Sequence, residues 1–117
     1  MKYFTYSEFD SPDSPRSGLK MNKYFLKVLD EARDIAGIPF KISSGYRTKK
    51  HNKAVGGVEG SSHTLGLAVD IHCNNSISRM IIIKAALEAG ITRIGIASNF
   101  IHLDVDEDKP QNVIWTY

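Results

Sequence analysis

The chain has one cysteine, one tryptophan, four prolines and nearly balanced charge, and each scarcity closes off an option. With Cys73 alone, no intramolecular disulfide forms and no cysteine-rich metal site can be built, while the redox compartment stays open. No partner motif surrounds Cys73, which reads as a small buried side chain and not a nucleophile. Fifteen Lys and Arg against thirteen Asp and Glu leave a net +2. These charges are interspersed, without the basic stripe that a nucleic-acid backbone requires. The longest strongly apolar stretch, around Met80 to Leu87, is broken by Lys84 and followed by Glu88, so no membrane span fits. The opening residues Met1 to Glu8 hold no apolar run of secretory-signal length. As written, the chain is expected to be made in the cytoplasm and to reach any outside target by another route.

What remains is an ordinary soluble composition, 42% hydrophobic and 24% charged over 117 residues, which predicts one domain spanning 1–117 with a single core. Asp10 to Gly18 is rich in turn formers and reads as a loop. From Met21 to Ala36, apolar residues recur at helical spacing; Gly37 and Pro39 then end the helix. Phe40 to Ser43 predicts a short strand, Arg47 to Val55 a short polar helix, and Leu67 to His72 a buried strand. A second long helix is expected from about Ser78 to Ala89, capped by Ser76 or Ser78 and closed by Gly90. Arg93 to Ala97 and Phe100 to Val105 read as paired strands about a tight turn at Ser98-Asn99, and Val113 to Tyr117 as a last strand. The sum is an α+β fold: a small central, mostly antiparallel sheet packed by two main helices, with Phe25, Leu29, Ile81 and Leu87 prominent in the core.

Two segments carry the chemistry: Ser62-His63-Thr64-Leu65-Gly66-Leu67-Ala68-Val69-Asp70 and Phe100-Ile101-His102-Leu103-Asp104. Strand side chains alternate, so Asp70 shares a face with His72, and His102 with Asp104. Neighbouring strands can then aim a carboxylate and an imidazole into one cleft, with His63 folding back over them on a loop that Gly66 makes permissive. Two imidazoles and a carboxylate suit a catalytic zinc with one position open to water. The bland alternative is three separate hydrogen-bonded strand and loop residues, and spacing alone does not choose between them. His51 reads as a solvated helix residue.

Ser62-His63-x-x-Gly66-x-Ala68-x-Asp70 followed by Phe100-Ile101-His102-Leu103-Asp104 resembles the signature of the zinc D-Ala-D-Ala carboxypeptidases, the M15 peptidases. The likeness is greatest to their small single-domain branch related to phage endolysins and murein peptidases. Ile42-Ser43-Ser44-Gly45-Tyr46-Arg47-Thr48, His51-Asn52, Val55-Gly56-Gly57, the opening Phe4 to Phe9 and the ending Trp115-Thr116-Tyr117 extend the resemblance over nearly the whole chain. It implies a Hedgehog/D-Ala-D-Ala peptidase-like fold and one Zn²⁺ held by His63, Asp70 and His102. It further implies Arg47 as binder of a substrate carboxylate and Ser62 as a hydrogen-bonding group for substrate beside the metal. Many relatives place a proton acceptor shortly before the last histidine, but Ala97-Ser98-Asn99-Phe100-Ile101 contains none. Asp104 is then the candidate for the catalytic role, acting directly or by orienting His102, with Glu59 a lesser one. His72 is left outside the ligand set. The implied activity is a monomeric hydrolase of peptidoglycan stem peptides, released to the wall as a lysin is. The alternative is an inactive zinc-containing wall-binding module of the same fold.

Overall fold

The computed structural model describes residues 1–117. Its first long helix, α1 (Lys23–Ala36), starts two residues later than Met21, where the Asn22 side chain accepts a hydrogen bond from Phe25 N, and stops at Gly37 in the left-handed conformation, as the sequence pattern requires. Phe25, Leu26, Val28, Leu29 and Ala32 form its buried face. Strand β1 (Ile42–Ser44) and the short helix α2 (Lys49–Ala54) follow. Strand β2 (Ala68–His72), helix α3 (Ser76–Glu88) and strands β3 (Arg93–Ile96), β4 (Phe100–Asp104) and β5 (Val113–Thr116) complete the order.

The five strands form one sheet in the order β1-β2-β4-β3-β5. Every pairing is antiparallel except β3 with β5. The exception follows from connectivity. The β3–β4 hairpin brings the chain back beside Arg93, and residues 105–112 then need only pass the start of β3 before β5 runs alongside it. Alternation divides each central strand between two faces. Val69, Ile71, Ile94, Ile101 and Leu103 are fully buried on one face, within a core cluster that includes the inner residues of α1 and Ile82 of α3. Asp70, His102, Asp104, Arg93 and Gly95 therefore occupy the other. Register carries Ser44, Asp70, His102, Gly95 and Trp115 across the sheet as one row.

Three expectations shift. Strand β1 covers Ile42–Ser44, not Phe40–Ser43, with an irregularity between Ile42 and Ser44 that bends the chain towards Arg47. Helix α3 is capped by Asn75, whose Oδ1 accepts from Ser78 N at 2.8 Å, so it begins earlier than either serine cap implied. Its inner residues are Ile82, Ala85 and Ala86, whereas Leu87 is 48% exposed and Ile81 only partly buried. Three consecutive isoleucines leave the helix phase open in the sequence, and the small alanines decide it by letting α3 approach α1.

The two helices should respond differently to truncation. Leu29→Ala and Ile82→Ala should each cost ~2–5 kcal/mol in urea unfolding, while Leu87→Ala should cost about 1 kcal/mol or less. A Leu87→Ala loss as large as that of Leu29→Ala would contradict this phase of α3.

Candidate metal centre

His63 arrives on a single 3-10 turn, Ser62–Leu65, begun by the Ser61 side chain and closed by Gly66. Gly66 has φ +71, and a Cβ there would lie 2.6 Å from Lys20 O. Conformation and close approach both demand glycine at this point. The turn buries His63 to 3% exposure and hangs its ring from the backbone, with Nδ1 2.8 Å from Gly45 O. Since a carbonyl only accepts, Nδ1 carries a proton, and Nε2 is the nitrogen turned towards Asp70 and left to coordinate an ion. That Nε2 lies 3.3 Å from Asp70 Oδ1.

His102 stands opposite Asp70 across the β2–β4 pair. Its Nδ1 is 3.0 Å from the same Oδ1, and its Nε2 is 2.6 Å from Asp104 Oδ2. Asp104 is itself 1% exposed, accepts from Arg93 Nε at 2.7 Å and from Asp106 N at 3.0 Å. The other oxygen of Asp70 faces Arg47 Nη2 at 3.4 Å. Arg47 is further held by Ser44 Oγ at 3.0 Å through Nε and Asn52 Oδ1 at 3.2 Å through Nη1.

The electrostatics follow from this packing. Burial opposes the charge on Asp70, but the hydrogen bonds and charges of His102 and His63 outweigh it and hold the carboxyl well below the usual carboxylate range. Burial likewise opposes a charged His102, and the hydrogen bonds to Asp104 and Asp70 overcome it, raising its pKa above the ordinary 6.5. Asp104 is lowered against its burial by His102, the Asp106 N–H and Arg93.

One donor atom each from His63, Asp70 and His102 gather within 4.8 Å of one another. Donors of an ion held tetrahedrally at about 2.0–2.1 Å lie about 3.3 Å apart, and the two carboxylate–imidazole separations of 3.3 and 3.0 Å match that edge. The set therefore fits a metal ion bound through Nε2 of His63, Oδ1 of Asp70 and Nδ1 of His102. Gly45 O and Asp104 then serve as the outer partners that fix each ring's tautomer. The three residues lie in a cleft of about 400 Å³, within the range of small-ligand sites.

Arg47, Ser62 and Asp104 line the cleft with the donors, whereas His51, Glu59 and His72 do not. Ser62 is 2% exposed, and its hydroxyl donates to Asp106 Oδ2 at 2.6 Å and accepts from Lys109 Nζ at 2.9 Å. Arg93, Asp106 and Lys109 went unremarked in the sequence, as did the packing of Trp115 on His102, ring centroids 5.4 Å apart.

Two imidazoles and a carboxylate in a cleft, which would leave a bound ion a position for water or substrate, suit a centre of the metallopeptidase kind. The chain belongs to the peptidase M15 family, whose model matches residues 2–104. No curated protein matches the chain. The matched span contains all three donors and ends at Asp104, so Lys109, Trp115 and Tyr117 lie beyond it.

Metal uptake should depend on pH in a defined direction. The ion must displace the proton from Nδ1 of His102, so affinity should rise, with proton release, as pH climbs towards the raised value and level off above it. Stability of the metal-free protein should move oppositely. The ion pairs of charged His102 stabilise it fully below about 6.5 and are lost as pH rises through the folded value. Calorimetric titration in buffers of different ionisation enthalpy reads the proton; affinity independent of pH over this window would contradict the Nδ1 assignment. Asp104→Asn should weaken metal binding about 10–100-fold.

Proposed function

We propose that the protein is a zinc-dependent peptidoglycan peptidase, cutting peptide bonds of cell-wall stem peptides as a D-Ala-D-Ala carboxypeptidase or an endolysin-type endopeptidase. The observation that carries this reading is the His63–Asp70–His102 donor set lying in one cleft with Arg47. Zinc accords with mixed imidazole and carboxylate donors. When bound, it would polarise the scissile carbonyl and bring a water molecule's pKa towards about 7.

The chain's own residues do the rest. Arg47 binds the substrate's carboxylate: its contact with Asp70 is a long one at 3.4 Å, so the planar guanidinium can also take a bidentate anion from the cleft. Anchoring that carboxylate sets which peptide bond lies against the donor atoms. Asp104 acts as a positioning residue, keeping the proton on Nε2 of His102 so that the Nδ1 lone pair faces the metal position. Ser62, through Asp106 and Lys109, ties the histidine turn to the segment after β4. No helix of the protein is long and apolar enough to cross a membrane, and the reading is of a single-domain monomer that reaches the wall as a lysin does.

One observation favours a second reading. Asp70 and Asp104 are the only side-chain carboxylates lining the cleft, and both are engaged by imidazole and guanidinium. A cleft without a free proton acceptor suits a zinc-containing wall-binding module that does not turn substrate over.

Digestion of purified peptidoglycan followed by mass spectrometry separates the two. Metal-stripped protein should regain product release with added zinc, and His63→Ala should not. Arg47→Ala should lower kcat/KM by about 10–100-fold, the worth of a charge-assisted hydrogen bond. Loss of terminal D-Ala would identify the carboxypeptidase, and cut stems or cross-links the endopeptidase. Absence of product from zinc-loaded wild type would overturn the enzyme in favour of the binding module.

A further inference from the structure

The row Ser44, Asp70, His102, Gly95, Trp115 runs across all five strands, and its one residue without a side chain is next to last. Gly95 sits between His102 on β4 and Trp115 on β5. A Cβ at Gly95 would lie 2.6 Å from Trp115 Nε1, 2.7 Å from Trp115 Cε2 and 2.9 Å from a ring carbon of Tyr117. Both aromatic rings therefore lie down over β3 in the slot that this glycine leaves open. Trp115 spans the slot to reach the His102 ring at 5.4 Å and stacks under the Arg93 guanidinium at 5.0 Å. Tyr117 packs on Phe100 at 5.1 Å and keeps 69% exposure. Phe100, Trp115 and Tyr117 all line the metal cleft.

The wall these rings make has a definite place relative to the chemistry. Arg47, the cationic group, follows β1 at one edge of the sheet; the aromatic wall is on β5 at the other. The metal donors on β2 and β4 lie between them. A peptide that sets its carboxylate on Arg47 and its scissile carbonyl at the donors must extend its acyl-side residue over β3 and β5.

Resting on the peptidase reading above, we propose that Trp115 and Tyr117, seated in the Gly95 slot, form the subsite for the acyl-side residue of the scissile bond and select a small apolar side chain there. Trp115 supplies the floor and is held rigidly by His102 and Arg93, while Tyr117 supplies the accessible face. Aromatic rings bury alkyl groups with little loss of conformational freedom, and the rings are carried by β5 and the residue after it, outside the span that matches the family model.

The test compares the stem pentapeptide L-Ala-γ-D-Glu-L-Lys-D-Ala-D-Ala with counterparts in which each alanine in turn is glycine. Zinc-loaded wild type should cleave the alanine form with kcat/KM at least about fourfold higher than the form with glycine on the acyl side of the cut bond, the worth of one buried methyl. Tyr117→Ala should bring that ratio to about one with zinc content and Tm unchanged, and Tyr117→Phe should restore it. Gly95→Ala, which displaces both rings, should also flatten it. A ratio retained in both Tyr117→Ala and Gly95→Ala would overturn the proposal.

Wild type that cleaves none of the peptides sinks the peptidase reading and leaves the subsite to be tested by binding. Trp115 is the single tryptophan and reports from within the wall. Its emission should respond to the pentapeptide, with tighter binding than for at least one glycine counterpart and with that difference lost in Tyr117→Ala. Equal binding of all forms, or no response, would overturn the subsite as well.

Discussion

The cleft is organised by the burial of one carboxylate, Asp70, at 7% exposure. A buried charge is costly unless partners surround it, and here they come from separate parts of the chain. His63 comes from the turn before β2, His102 from β4, and Arg47 from the segment after β1. The two oxygens divide the work: Oδ1 faces both imidazoles, and Oδ2 faces the guanidinium. Occupation of Oδ2 by Arg47 points a single oxygen at the metal position. The residue proposed to hold substrate is thus also the one that orients a metal donor, which couples substrate binding to the donor set through a single side chain.

From Asp70 the interactions continue outwards as a connected set. His102 passes to Asp104, Asp104 to Arg93, and Arg93 Nη1 donates to Pro110 O. On the other flank, Ser62 is joined to Asp106, and Lys109 bridges Ser62 and Gly60 O. The segment after β4 is therefore bonded both to the outer partner of His102 and to the turn that bears His63. Satisfied networks of this kind are stiff because each member's loss strands another buried group. Stiffness is what a donor set needs if its spacing is to be kept before the ion arrives.

Much of this was legible in the residues. Helical spacing with Gly37 located α1, and period-two alternation set His102 and Asp104 on one strand face and let Asp70 meet an imidazole in the same cleft. More was present than was drawn. Counting outwards from the Ser98-Asn99 turn pairs Gly95 with His102 and Arg93 with Asp104, the register observed, so Arg93 could have been named as the partner of Asp104. Other features had no local signal. Asp106 meets Ser62 over a separation of 44 residues, and Lys109 belongs to an irregular segment without periodicity. The phase of α3 was hidden by its isoleucine run, and the cap at Asn75, one residue ahead of Ser76 and three ahead of Ser78, differs from those serines only in tertiary setting.

Gly95 shows how the two faces of the sheet trade against each other. A glycine inside a strand forfeits side-chain packing and adds to the entropy lost on folding. That cost falls on β3, which lies between β4 and β5 and has ladder partners on both sides. Its core-facing neighbours Ile94 and Ile96 are apolar, and Ile94 is fully buried, so the strand keeps its hold on the core while its cleft side is emptied. An edge strand with the same glycine would lack the second ladder. The rings that fill the gap come from β5, the strand that does lie at the edge, and they return packing to the cleft face. The slot, the stacked His102 and the edge strand's aromatic residues are consequently one feature, and none of the three is explained by core packing alone.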